Sequence, residues 1–172
     1  IGLTVVGPEA ALDRGLADVF RAAGRSIVGP PRSAAALETS KVFSKKFMDA
    51  AGIPTARYLV CQTAESALAA VAGDHFGFPV VVKADGLAGG KGVVVAADRA
   101  EAETAVRAAM VDRAFGPAGS RLVIEECLVG PEVSFFALAD GRRAIPLGSA
   151  QDHKRIFDGD LGPNTGGMGA FA

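Results

Sequence analysis

Apolar residues follow two rhythms along this chain. Short unbroken runs occur at 3–6 (LTVV), 26–30 (SIVGP), 57–61 (RYLVC), 79–84 (PVVVKA), 92–97 (GVVVAA) and 121–127 (RLVIEEC). Their length and their β-branched content predict buried strands. Elsewhere the apolar positions recur every three or four residues. Leu12, Leu16, Val19, Phe20 and Ala23 predict one helix that opens at Glu9, where a negative charge suits the helix dipole, and stops at Gly24. A second helix is predicted over 33–51, with Phe43, Phe47 and Ala50 on one face and Lys41 and Lys45 one turn apart on another. Gly52 ends it and Pro54 forbids its return. Two more helices are expected at 64–73 and 98–112, the latter capped by Asp98. The runs at 133–140 and 144–150 pair through a turn at Asp140-Gly141. Beyond Gln151 the chain turns polar and glycine-rich, which reads as loop.

The order is therefore β-α-β, a helix, a small mixed unit, and the start of an antiparallel sheet, with breaks near Thr55 and Glu125. Composition agrees with a chain able to build a core: 49% of the 172 residues are hydrophobic and 22% charged. The net charge of −1 rules out a basic nucleic-acid footprint over the whole surface. No apolar run approaches the roughly 18 residues of a membrane span, so no membrane partner is expected, and a cytoplasmic protein is the default. Cys61 and Cys127 lie in apolar runs without a CxxC pair, which reads as buried thiols, without disulfide or metal. The chain opens at Ile1 inside a strand-like run and ends in GGMGAFA, so it is expected to be an internal piece of a longer protein.

Three segments carry candidate chemistry. DGLAGGKG (85–92) places four glycines and Lys91 between two strands. It is not a P-loop, because Asp85 stands where the first glycine belongs and Gly92 where Ser or Thr belongs. It is not a dinucleotide fingerprint either, because Val95 takes the third glycine position and the loop enters a strand. It reads as a flap whose N–H groups and lysine fold onto phosphate oxygens, or as an unliganded surface hairpin. Lys83 closes an apolar run, so its ammonium either snorkels to water or meets an anion. VIEECLVGPE (123–132) sets Glu125, Glu126 and Glu132 around a strand end, as an adenosine-reading hinge or as a solvated acidic turn. QDHKRIFDGDLGPNTGGMGAF (151–171) offers the planar fork of Arg155 and glycines that let backbone approach a ligand, or else a solvated charge run.

These segments, with VVGPEAAL, SKVFSKKFM and GIPTA, resemble in content and order the ATP-grasp superfamily, and within it the phosphoribosylamine–glycine ligases. The resemblance extends along essentially the whole chain. It implies α/β and α+β architecture: the end of a Rossmann-like N-terminal domain (1–58), a small ATP-grasp flap domain (59–124), and the start of the large antiparallel ATP-grasp domain (125–172). It implies that ATP is bound by Lys41, Lys83, Gly89, Gly90, Lys91 and Gly92, by Glu125, Glu126, Cys127 and Leu128 at the adenine, and by Glu132 at the ribose. Arg155 and Asn164 would line the phosphate and acyl-transfer site. Asp152, Lys154, Gly166, Gly167, Met168 and Gly169 would hold glycine or 5-phosphoribosylamine. The implied reaction joins those two substrates into glycinamide ribonucleotide with Mg²⁺ or Mn²⁺, whose ligands are expected beyond Ala172. A related carboxylate–amine ligase and a non-catalytic nucleotide-binding module are the alternatives.

Overall fold

The computed structural model describes every residue except Gly90 and Asp160, and only the backbone of Pro163 and Asn164. Two compact units divide at Cys127 and Leu128.

The first unit opens with β1 (Thr4–Val5), α1 (Glu9–Asp13), α2 (Leu16–Ala22) and β2 (Ile27–Val28), and β1 and β2 pair in parallel. This is the expected β-α-β unit, with one correction. The single helix predicted from Glu9 is two helices, parted at Gly15, whose φ of 81° is left-handed. The break re-aims the second half: Leu12 and Ala17 are buried with Ala35, whereas Val19 is 64% exposed.

The predicted 33–51 helix is also two, α3 (Arg32–Thr39) and α4 (Lys41–Ala51). Ser40 interrupts it with an extended backbone and caps α4 by accepting from Phe43 N at 3.1 Å. Gly52 closes α4 in the left-handed conformation, as expected. The buried face of α4 is not the one the aromatics mark. Phe43 and Phe47 stack on each other and stay 44% exposed each, while Val42 and Lys45 are buried.

The rest of this unit is a four-stranded antiparallel sheet with two helices on one face. Its elements are β3 (Tyr58–Cys61), α5 (Ala64–Ala72), β4 (Val80–Ala84), β5 (Val93–Ala96), α6 (Arg99–Met110), a 3₁₀ turn (Gly116–Ser120) and β6 (Leu122–Glu126). The strand order is β3-β6-β4-β5. Thr63 begins α5 with a reciprocal capping box to Ser66, and Asp98 caps α6 at 2.9 Å from Glu101 N. Cys61, Val80, Val82, Ala84, Ala96, Leu122 and Ile124 form the sheet side of the core, against Ala67 and Val71 of α5 and Ala102, Val106 and Ala109 of α6. Small residues on both helices let them lie close to the sheet, and burial of each larger aliphatic side chain is worth about 1.5–3 kcal/mol.

The second unit is antiparallel. β7 (Ser134–Ala139) and β8 (Ala144–Asp152) form a hairpin with a bulge between Phe136 and Ala137. Asp140 closes the turn, its Oδ1 accepting from the backbone of Arg142 and Arg143 at 2.8 and 2.7 Å. The stretch after Gln151, expected to be loop, instead forms β9 (Arg155–Phe157) and β10 (Leu161–Asn164), which pair, and β11 (Ala170–Phe171), which adds to the end of β8. Backbone pairing can impose strand geometry on a polar sequence where no local propensity announces it.

Candidate functional site

Strand alternation sorts the charges of the first unit. Residues directly opposite one another in a sheet share a face. The registers Tyr58↔Glu125↔Val81 and Val60↔Val123↔Lys83 therefore set Lys83 and Glu125 together on the face away from α5 and α6. Glu126, one residue on, lies on the opposite face. There it accepts from Arg57 N at 2.8 Å and Arg57 Nε at 2.7 Å. Those bonds, the backbone one foremost, hold its carboxyl below the usual range.

Glu125 is buried, and two ammonium groups flank it. Lys83 engages Oε1, and Lys45 Nζ lies 2.6 Å from Oε2, a charge contact outside hydrogen-bond angles. Lys45 is enclosed: it donates to Thr55 Oγ1 at 2.8 Å and to the Ala56 carbonyl at 3.1 Å, and sits 5.2 Å from the centre of the Tyr58 ring. Lys83 differs. Its side chain is 27% exposed, and among the described residues Glu125 is the partner it has, so two of its three donors remain for a ligand.

A second buried carboxylate, Asp85, ties the glycine hairpin to α4. Its Oδ1 accepts from Val42 N at 2.7 Å and Ser40 Oγ at 3.0 Å, and its Oδ2 from Arg121 at 2.5 Å. Its carbonyl takes Lys41 N at 3.1 Å, and its own N–H reaches the Arg121 carbonyl. Lys41 Nζ donates to the Gly86 carbonyl at 3.3 Å. Burial pushes the Lys41 ammonium pKa down, partly opposed by Asp85 and reinforced by the like charge of Lys83.

The hairpin itself is as expected, a loop between the antiparallel strands β4 and β5. Its root packs too closely for side chains: a Cβ on Gly86 would lie 2.9 Å from that of Ala118, and one on Gly92 2.7 Å from that of Ala88. Gly89 takes a left-handed φ of 57° and Lys91 is exposed. Gly90 lies outside the described residues. Cys127 is partly buried and Leu128 is 70% exposed at the division between the units.

In the second unit the candidate residues form a local web. Glu132 pairs with Lys154, which raises the lysine's pKa above the ordinary value. The backbone of residues 165–169 is stitched to 153–154: Thr165 N donates to the Lys154 carbonyl, Met168 N to that of His153, and His153 N to that of Gly169. Gly166, Gly167, Met168 and Gly169 thereby stand beside Asp152 and Lys154, with Met168 59% exposed. Arg155 donates to the Gly162 carbonyl at 2.5 Å, and in the β9–β10 register it faces the backbone of Asn164.

Sequence reasoning missed Lys45 as an ion-pair partner and Asp85 as an anchor. The lysine carried no signal, since a lysine on an amphipathic helix reads as solvated. Asp85 did carry one, as the residue that displaces the first glycine of the P-loop pattern.

Known proteins match this geometry. The family model described as "Phosphoribosylglycinamide synthetase, N domain" covers residues 1–38, and "Phosphoribosylglycinamide synthetase, ATP-grasp (A) domain" covers 39–172. A Xylella fastidiosa protein named phosphoribosylamine–glycine ligase is 54% identical over the whole chain, which spans 40% of that relative's length. The crystal structure of the phosphoribosylamine–glycine ligase of Thermotoga maritima is 40% identical, with a TM-score of 0.76 over 84% of this chain and 37% of that one. D-alanyl-alanine synthetase A of Vibrio cholerae shares the fold at 20% identity, with a TM-score of 0.67 over 88% of this chain and 45% of that one. The chain belongs to the phosphoribosylglycinamide synthetase family, with its first 38 residues in the N domain and the rest in the ATP-grasp (A) domain.

Proposed function

We propose that this chain supplies the ATP-phosphate cradle and part of the substrate loop of a cytoplasmic ligase of purine biosynthesis. The reaction joins glycine and 5-phosphoribosylamine with ATP, and gives glycinamide ribonucleotide, ADP and phosphate. One observation carries the reading: two part-buried ammonium groups stand at the root of a glycine hairpin, Lys41 on the Gly86 carbonyl and Lys83 on the buried carboxylate of Glu125. Like charges held together in a low-dielectric setting favour an anion between them.

A carboxylate acylates poorly because oxide would have to leave. In this reading a glycine carboxylate oxygen attacks the γ-phosphorus of ATP and releases ADP. The amine of phosphoribosylamine then attacks the carbonyl carbon of the glycyl phosphate, loses a proton, and expels phosphate. Lys41, Lys83 and the hairpin N–H groups hold the triphosphate and offset the charge that develops on it. Lys91 and Gly89 to Gly92 close over it and keep water from the acyl phosphate. Glu132 takes the ribose. Cys127 and Leu128 read the adenine edge by their backbone, with Glu126 beside them. Glu125 serves this site through the lysines it holds. Arg155 and Asn164 face the transferring group, and Asp152, Lys154 and the 166–169 loop hold the second substrates. In this account 1–58, 59–124 and 125–172 act as N-domain end, flap and large-domain start. A divalent metal, when bound, would neutralise phosphate charge. Among the described residues no cluster of His, Cys, Asp and Glu suits one.

ADP release with Mg·ATP, glycine and phosphoribosylamine tests the reading on a chain carried to the relatives' full length. Release that requires both substrates is the expected result. Nucleotide binding without release under any combination would leave a binding module, and release with another acid or amine would make it a different carboxylate–amine ligase.

A further inference from the structure

Lys45 is buried on α4, and the proposed reading gives it no contact with ligand. Its ammonium is enclosed by Glu125 Oε2, Thr55 Oγ1, the Ala56 carbonyl and the Tyr58 ring, and leaves nothing to offer a substrate. A buried lysine in a helix is costly unless paired, and replacing such a pair with apolar groups is often neutral or better for stability. Stability alone therefore gives little reason for its charge.

The charges around Glu125 give one. Glu125 carries one negative charge and touches two ammonium groups, Lys45 and Lys83. Paired with Glu125 alone, Lys83 would present no net charge to an anion. With Lys45 on the other oxygen, the triad carries one net positive charge. That charge is expressed at the Lys83 end, because Lys45 is enclosed and Lys83 is partly open. We propose that Lys45 is a positioning residue of the ATP site. It occupies one oxygen of Glu125 and cancels its charge, so that Lys83 is held in place by the carboxylate yet stays electropositive toward phosphate. The inference rests on the reading of Lys83 as a phosphate ligand.

The test compares ATP affinity in the complete protein for Lys83→Met, Lys45→Met, Lys45→Arg and the double variant Lys45→Met/Glu125→Gln, with a thermal midpoint for each. Lys45→Met makes the triad neutral, and ATP binding is expected to weaken about tenfold, the scale of one unit charge acting over about 12 Å at an effective dielectric of about 20. Lys45→Arg keeps the charge and most of the affinity. The double variant removes one charge of each sign, restores the net positive charge, and recovers most of the affinity that the single variant loses. A purely structural role predicts the reverse, a double variant at least as weak as the single one. If Lys45→Met does not fold because one buried oxygen of Glu125 is left without a counter-charge, the double variant, whose amide oxygen at position 125 still accepts from Lys83, carries the test alone: affinity within about threefold of the parent is expected, and a loss of tenfold or more overturns the proposal. Lys83→Met separates the two levels. If it weakens binding while Lys45→Met does not, the inference about Lys45 is wrong and the site stands. If Lys83→Met leaves affinity unchanged, the phosphate reading of Lys83 and this inference fall together.

Discussion

Replacing Asp85 with alanine probes the junction on which the site depends. The side chain is buried and accepts from Val42 N at 2.7 Å, Ser40 Oγ at 3.0 Å and Arg121 at 2.5 Å. Hydrogen bonds to a charged acceptor are worth about 1.5–3 kcal/mol each when buried, which applies to Val42, itself buried at the start of α4. The Arg121 side chain is 49% exposed, so its ion pair is discounted to roughly 0.5 kcal/mol. The Ser40 hydroxyl is part-buried and can turn to another acceptor, which leaves a total of about 3 kcal/mol. For a chain of this size that corresponds to a fall in melting temperature of about 6–12 °C. Asp85→Asn keeps an oxygen for Val42 N and loses the ionic part, so about 1 kcal/mol is expected. Thermal and urea unfolding of the parent and both variants read these values. A fall of less than about 2 °C for Asp85→Ala, or equal falls for the two variants, would refute the idea that this carboxylate anchors the hairpin to α4.

Tyr58 is the one tyrosine in a chain without tryptophan, so absorbance near 295 nm reports its ionisation alone. The hydrogen bond to Asp49 at 2.6 Å pushes its phenol up to about 12. Because the folded form binds this proton more tightly than the unfolded chain, which titrates near 10, the stabilisation is present below pH 10 and is lost as pH rises toward 12. A midpoint near 10 in the folded protein, or one unmoved by Asp49→Asn, would contradict the bond. Gly92→Ala places a Cβ 2.7 Å from that of Ala88 and should cost about 1–3 kcal/mol by overpacking, seen as a lower urea midpoint; an unchanged midpoint would mean the hairpin root is loosely packed. Arg155→Ala should slow glycine-dependent ADP formation in the complete protein about tenfold or more, and a normal rate would remove Arg155 from the acyl-transfer site.

Much of this protein was legible in its sequence because the signals are local. The β-α-β opening, the hairpin around DGLAGGKG, the Asp98 cap and the Gly52 stop each depend on a few adjacent residues and the backbone conformations they allow. The split of Glu125 from Glu126 is equally local, since successive strand residues must point to opposite faces, yet the sequence reading kept both carboxylates in one hinge. The helix breaks at Gly15 and Ser40 carried only weak signals, a glycine and a serine inside otherwise continuous periodic patterns.

What the tertiary structure alone decided is which way α4 turns. Its aromatics predicted a face through Phe43 and Phe47, but the helix buries Val42 and Lys45 instead. Asp85 fixes its first turn, and a buried carboxylate on a strand 80 residues further on meets the lysine. A helix can place either face inward when each has something to bury, and the choice rests on partners distant in sequence. Here a charge on β6 outweighs two phenylalanines, because a buried Glu125 facing Lys83 alone would leave one oxygen without a counter-charge. Local sequence names the candidate lysines; long-range packing determines that Lys45 is enclosed and Lys83 stays partly open.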